Sequence, residues 1–452
     1  MSELRTIARH AGTVLIGQLA VMSFGVVDTL IAGRYSPHAL AILSLASSIY
    51  ISIYVALNGM LQALLPVWAE LHGAGRPAEI GQSFRQALYI CAGATALGFC
   101  GLWFPDPWLS LTDVPAQLWP DIRAYLRILA VALLPSQLFR MYGTLNQSLG
   151  FPRLVTWLQA GALFVKVPLS YVLTFGTAGL PGLGIVGCAW ATLIVNTLMM
   201  LTGLWMLHTQ DIYTPYRLWR RLEKPHWPTL RRFLQLGVPA GLSIMVEVTS
   251  FTLMALFIAR LGAVASASHQ IAASVASVLY MVPLALGIAS SASTGYWLGA
   301  SQPDKAQHAA GLGVGMAVAA ALLCAGLLYL GRENLARLFT NTPEVAQAAS
   351  LWLAWVALYH LADAVQAVCA FLLRCYRITL APLLIYTTLL WGVGLYGGYQ
   401  LAYSGLAWAS LDARPSVDSF WITSTGALAV VSTMFVWLVW RAARSPGTFA
   451  NH

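Results

Sequence analysis

The sequence predicts an all-α integral membrane protein, with twelve transmembrane helices in two six-helix lobes related by a pseudo-two-fold axis along the membrane normal. Three observations lead there. Charged residues make up 9% of the 452, where a soluble domain carries about 25%, and mean hydropathy is +0.70. Twelve stretches reach the ~20 mostly apolar residues that a spanning helix needs. The two halves of the chain repeat each other at a nearly constant offset.

The apolar stretches run approximately over 11–33, 42–66, 86–105, 123–146, 154–176, 184–208, 233–259, 267–293, 308–330, 348–373, 380–403 and 419–441. Several contain Pro or Gly, which a spanning helix tolerates where its neighbours satisfy the freed backbone groups. The first is too long for a secretory signal and lacks a small-residue cleavage site, so it is expected to be retained. The longest polar interruption, Gln210 to Arg232, carries Pro215, Pro225 and Pro228 among basic residues. It separates an N-terminal lobe (1–209, helices 1–6) from a C-terminal lobe (233–452, helices 7–12), with 210–232 as a cytoplasmic linker.

Loop charge sets the expected orientation. With the N-terminus inside, inner segments hold sixteen Lys and Arg, among them Arg217, Arg220, Arg221, Lys224, Arg231 and Arg232. Outer segments hold six: Arg34, Arg123, Arg260, Arg332, Arg337 and Arg414. Arg127, Arg140 and Lys166 fall within spans. Cations concentrate in cytoplasmic loops, so both termini are expected in the cytoplasm of a cell whose inner membrane holds the protein. The net charge of +9 then reflects topology and anionic lipid rather than a nucleic-acid partner. The six cysteines (Cys91, Cys100, Cys188, Cys324, Cys369, Cys375) lie within or beside spans without CxxC spacing. They read as small apolar packing residues.

The repeat is visible in short motifs. "IAGRYSPHALA" ends the first span and opens the second, as "IARLGAVASAS" does for the seventh and eighth. "HGAGRP" and "LGASQP" place a Gly–x–x–x–Pro turn at Gly73 and Gly299, 226 residues apart, and "VALLP" and "VALYH" align Val131 with Val356. Six spans per half leave both halves in the same orientation, as in parallel-repeat transporters that hold substrate near the lobe interface and work by rocking.

Three carboxylates stand deep in apolar sequence. A charge at the centre of a spanning helix costs about 2.5–3.5 kcal/mol on insertion scales, so each needs a partner or a watery cavity. Asp363 shares a helical face with Tyr359 and Gln366, whose oxygens suit a hard cation. Glu247 has Ser243 and Ser250 on its face. If the seventh and tenth helices touch, Glu247 and Asp363 form an acidic pair sensitive to protons or sodium, and both are the metal ligands if the ion is Na+. Asp28 stands alone on the first span, and Lys166, the only Lys in the middle of a span, is expected to pair with it. His360 reads as pointing off the Asp363 face, and His269 as capping or packing the start of the eighth span.

At these residues the chain resembles the MATE (multidrug and toxic compound extrusion) family, in its NorM-like branch. The likeness covers nearly the whole chain and rests on "FGVVDTLIAGR", "ELHGAGRP", "LGVPAGLSIMVEVTSF", "SHQIAASVASVLYMVPLALGIASSASTGYWLGAS" and "LYHLADAVQAVCAFLLRCYR". It implies two V-shaped lobes and antiport of cationic or amphipathic drugs and dyes against Na+ or H+. It matches Asp28 to a first-helix acid, Glu247 to a seventh-helix acid, and Tyr359 with Asp363 to the tenth-helix cation site. The chain departs from the family pattern in three places. Lys166 and Ser170 replace residues that are usually Asn, then Asn or Asp. Ser274 replaces an Asn in the eighth helix, and "LRCYRIT" carries Cys375 and Ile378.

A fixed positive charge beside Asp28 is expected to leave coupling to Glu247, Asp363 and Tyr359. Asp28, Lys166, Ser170 and Ser274 remain as a polar or substrate site, with a narrower or less cationic substrate range. The alternative function is a lipid-linked precursor flippase of the same superfamily. No HExxH, GxSxG or paired-Asp motif points to an enzyme. Beyond the coupling ion no cofactor is expected, and the partners are small-molecule substrates and membrane lipids around a monomer.

Overall fold

A computed structural model describes residues 3–111, 116–176, 179, 181–405 and 416–444; Arg414, one of the outer cations above, lies outside them. Among the described residues, twelve helices are long and apolar enough to cross a membrane. They are α1 (Glu3–Tyr35), α2 (Pro37–Gly73), α3 (Pro77–Trp103), α4 (Trp119–Ser148), α5 (Pro152–Phe175), α6 (Val186–Thr209), α7 (Trp227–Ala259), α8 (Ala263–Gly299), α9 (Pro303–Phe339), α10 (Pro343–Cys375), α11 (Leu380–Tyr403) and α12 (Val417–Arg444). The chain is thus a multi-pass membrane protein of the fold class its sequence predicts.

Helix boundaries follow local chemistry. Proline opens α2, α3, α5, α9 and α10, where its missing N–H costs nothing. Ser36 caps α2 by accepting from the Ala39 amide at 3.0 Å. A two-residue turn at Ala63 and Leu64 interrupts α2 just before Pro66, and α11 winds into a π-helix over Thr387–Tyr396.

Four helices end in the same way, and their ends expose the repeat in backbone geometry. α2 and α8 terminate through a left-handed residue, Gly75 at φ 66° and Ser301 at φ 57°, again 226 residues apart. The amide of the next residue closes each turn, Arg76 onto the Leu71 carbonyl and Gln302 onto that of Trp297, both at 3.0 Å. α4 and α10 end likewise at Gly150 and Arg377, with Phe151 bonding Asn146 and Ile378 bonding Leu373. These are Schellman turns, whose left-handed position favours glycine. The first half supplies glycine at both positions and the second half at neither. Replacing Ser301, which is exposed, by Gly is therefore expected to stabilise the fold by about 0.5–1 kcal/mol, and Gly75→Ala to destabilise it by a similar amount. Thermal unfolding of the two variants in detergent checks the opposite signs.

The chain forms two compact units. The first is Ile16–Gly241, and the second comprises the residues up to Leu15 together with those from Leu242 onward. The divisions cut α1 and α7 internally, 226 residues apart, so each half of the repeat contributes the start of its first helix to the other unit. The sequence reading sets the border at the linker instead. Within the second unit, Ile7 and Ala11 join the apolar core, and Glu3 accepts from the Ser293 hydroxyl and the Trp297 indole. Within the first unit, the basic linker folds onto α3. Arg85 donates to Glu223 Oε1 at 2.6 Å and to the Arg217 carbonyl at 2.7 Å, and the Gln86 side chain bonds the backbone of Lys224 and His226.

Each unit is built around one buried helix. α4 packs against α2, α3 and α6, and α10 against α8, α9 and α12, the same neighbours six helices on. Polar residues on α4 and α10 are consequently shielded from lipid, which is the condition for an intramembrane site.

Candidate functional site

In the first unit Asp28, from α1, meets the α5 side chains Lys166 and Ser170, which lie one turn apart on one face. The Lys166 ammonium is wholly buried and sits 2.9 Å from Asp28 Oδ1. Its other two protons go to the Cys188 carbonyl at 3.1 Å and to Thr192 Oγ1 at 2.6 Å. Ser170 donates to the same Asp28 oxygen at 3.2 Å. All three ammonium donors are spent, and the carboxylate has a full counter-charge. The sequence anticipates the ion pair but not the second-turn partners on α6, because a backbone carbonyl and a threonine leave no signal in an apolar stretch.

The second unit holds the other two carboxylates. Gln366 of α10 donates through Nε2 to both Glu247 Oε1, at 2.8 Å, and Asp363 Oδ1, at 3.1 Å. Two acceptors on one nitrogen lie within ~6 Å of each other, so α7 and α10 do bring the acids together. The amide oxygen of Gln366 accepts from the Tyr386 hydroxyl of α11, and the Tyr280 hydroxyl of α8 lies 3.5 Å from Glu247 Oε2. Four helices thus converge on the acidic pair and its shared amide. Glu247 and Asp363 are 9% and 5% exposed, and Gln366 is fully buried.

Tyr359, one turn before Asp363, packs edge-on against Phe251 and Trp421, with ring centroids 5.5 and 5.8 Å away. Its electrostatic neighbours include Asp363 and Glu247. An aromatic wall therefore closes one side of the acidic pair. Arg374, three turns beyond Asp363 on α10, is buried with its guanidinium over Phe371 at 4.4 Å, and its electrostatic neighbours are Tyr280, Tyr386 and Glu247. One of its nitrogens, Nη1, has no hydrogen-bond partner among the described residues. The eleven-residue spacing from Asp363 is the sequence signal for this cation. Tyr280 and Tyr386 leave none, since a tyrosine in an apolar span is as often interfacial.

Two expectations need revision or narrowing. His360 does not point away from Asp363: its Nδ1 lies 4.0 Å from Asp363 Oδ2, because three residues on a helix still share a flank. Its Nε2 is buried without a hydrogen-bond partner among the described residues. His269 packs on Trp421 at 5.7 Å, with neither ring nitrogen bonded among the described residues. Ser274 returns its hydroxyl to the Gln270 carbonyl of its own helix at 2.8 Å. The six cysteines are free. No cluster of three or more His, Cys, Asp or Glu suited to a metal occurs among the described residues, so an ion at the acidic pair would need amide, hydroxyl or water oxygens to complete its shell.

The MatE family profile matches residues 14–172 and 239–399, one segment in each half. A "Probable multidrug resistance protein NorM" of Aromatoleum aromaticum is 38% identical over 97% of this chain and 94% of its own length. The "Multidrug resistance protein PmpM" of Pseudomonas aeruginosa is 33% identical over 88% of this chain and 84% of its own. Among solved structures, the Vibrio cholerae MATE transporter VcmN in its bent form superposes with a TM-score of 0.83 at 20% identity, covering 99% and 98% of the two chains.

Proposed function

We propose that this chain, which belongs to the MatE family, is a multidrug antiporter that exports cationic or amphipathic organic compounds in exchange for inward Na+ or H+. The observation that carries the reading is the Glu247–Asp363 pair sharing the single Gln366 amide, buried at the meeting of four helices. The names of the relatives, multidrug resistance proteins in each case, support the export of drugs.

The chemistry follows from the donors. With no cation present, the Gln366 NH2 group is, among the described residues, the one hydrogen-bond donor shared by both anions, and the two carboxylates repel across it. A proton, or a sodium ion taken by carboxylate and hydroxyl oxygens, relieves that repulsion and frees the amide. Gln366 links through Tyr386 to α11 and through Glu247 to α7, so a change in its bonding is felt on both helices at once. Tyr359 and Trp421 exclude lipid from the site. In the first unit Lys166 already neutralises Asp28, so coupling rests on the second unit. The same neutralisation withdraws Lys166 as a phosphate anchor, and the flippase reading loses its main cation. The protein acts as a monomer in the inner membrane, with both termini cytoplasmic.

The test is efflux of ethidium from proteoliposomes under an imposed Na+ or H+ gradient. Movement under one gradient and not the other names the ion. No movement under either gradient would overturn the cation-coupled reading.

A further inference from the structure

The two acids are not the whole charge of their site. Arg374, in the last turn of α10, is 4% exposed, and among the described residues no carboxylate lies within ion-pair distance of it. Its guanidinium covers the Phe371 ring at 4.4 Å, and Nη1 has no hydrogen-bond partner among the described residues. Arginine keeps its proton inside proteins, so this is a fixed positive charge.

Three features aim that charge at the acids. Eleven residues beyond Asp363 is about 20° from the same face of the helix. A helical side chain leans toward the N-terminus of its helix, here toward Asp363. Tyr280 and Tyr386, which neighbour Arg374, are the tyrosines that donate to Glu247 and to Gln366. Glu247 accordingly has Arg374 as its cationic neighbour, and Asp363 has Glu247 as its anionic one. The arginine is close enough to be felt and too far to pair.

The cation-free site therefore carries two negative charges and one positive charge. His360 adds none, because its Nε2 has no partner among the described residues, as suits a neutral imidazole with a single N–H. A net charge among spanning helices is costly, so such a site takes up cations until it is neutral. One monovalent cation is enough here. In the first unit Lys166 cancels Asp28 one for one, and that pair adds nothing to the count.

We propose that Arg374 is an internal counter-charge that limits the acidic pair to one monovalent cation per transport cycle, so that exchange against a singly charged compound moves no net charge across the membrane. The proposal rests on the antiporter reading and assigns its stoichiometry. Without Arg374 the pair carries two uncompensated charges and loads two cations.

The experiment finds the ion ratio at which net ethidium flux stops in proteoliposomes of the full chain. This null point is an equilibrium property, so neither the amount of folded protein nor its turnover moves it. With ethidium about tenfold higher outside, the parent is expected to stop at an outside-to-inside ratio of the driving ion of about ten. Valinomycin and K+ should leave that value in place, since one-for-one exchange moves no charge through an imposed potential. Arg374→Gln is expected to stop at a ratio of about three, the square root, and its null point should shift with potential, because a net charge now crosses. Arg374→Lys keeps the charge and should keep the parent's value. A parent null point that moves with potential, or one in Arg374→Gln that stays with the parent's, would each overturn the proposal. Should Arg374→Gln fail to fold, Arg374→Met carries the same expectation, and the parent's response to potential decides by itself if neither folds. Ethidium movement under neither gradient sinks the antiporter reading, whereas movement with the wrong null point sinks the counter-charge alone.

Discussion

Asp363→Asn is expected to cut ion-driven ethidium efflux by about 100-fold, close to the leak of protein-free liposomes. The magnitude comes from the distance between the two acids. Unit charges ~6 Å apart repel by about 3 kcal/mol at an effective dielectric of 20, and a bound monovalent cation relieves that energy. At ~1.4 kcal/mol per factor of ten, removing one charge lowers cation affinity by two orders of magnitude. The substitution spares the fold, because an asparagine carbonyl at 363 still accepts from Gln366 Nε2. The variant should therefore elute as a monodisperse protein with a thermal midpoint near that of the parent. Asp363→Glu, which restores the charge at a displaced position, should recover part of the rate. If Asp363→Asn kept half or more of the driven efflux, coupling would have to lie outside this pair.

Much of this site is legible in the sequence. A carboxylate in an apolar helix is costly enough to announce itself, and helical periodicity placed Tyr359, Asp363 and Gln366 on one face. Lys166 calls for a partner, and Asp28 is the lone acid in the middle of an apolar span in the same half. The meeting of α7 with α10 was not readable, since contact between distant helices is set by packing of apolar residues that look alike in sequence. For the same reason the hydroxyls of Tyr280 and Tyr386 and the backbone carbonyl of Cys188 went unforeseen. His360 reads as off the Asp363 face in sequence, yet a three-residue spacing keeps both side chains on one flank of the helix. The internal repeat was visible in Gly–x–x–x–Pro turns, yet its clearest form lies in the backbone. Ser301 and Arg377 occupy the left-handed positions that Gly75 and Gly150 fill in the first half, a correspondence that side-chain identity conceals.

The largest stability effect is expected at the buried ion pair of the first unit. Lys166→Met removes the counter-charge of Asp28 and leaves the Ser170 hydroxyl as its nearest remaining donor, so the fold should lose about 3–5 kcal/mol. The loss is a penalty for stranding a charge rather than the value of the pair. Removing both charges, in Asp28→Asn with Lys166→Met, should therefore recover most of it, since neutral replacements of buried pairs are often isoenergetic or better. A double-mutant cycle read by thermal or denaturant unfolding gives the coupling directly. Lys166→Asn adds a functional arm, because an amide at this position leaves Asp28 anionic and open to a cation. The pH profile of efflux and the range of exported compounds should then both change. A coupling energy below about 1 kcal/mol, the level of an exposed pair, would mean that water reaches Asp28 in the native state. The first unit would then offer an ion site of its own, and transport would have two places at which to couple rather than one.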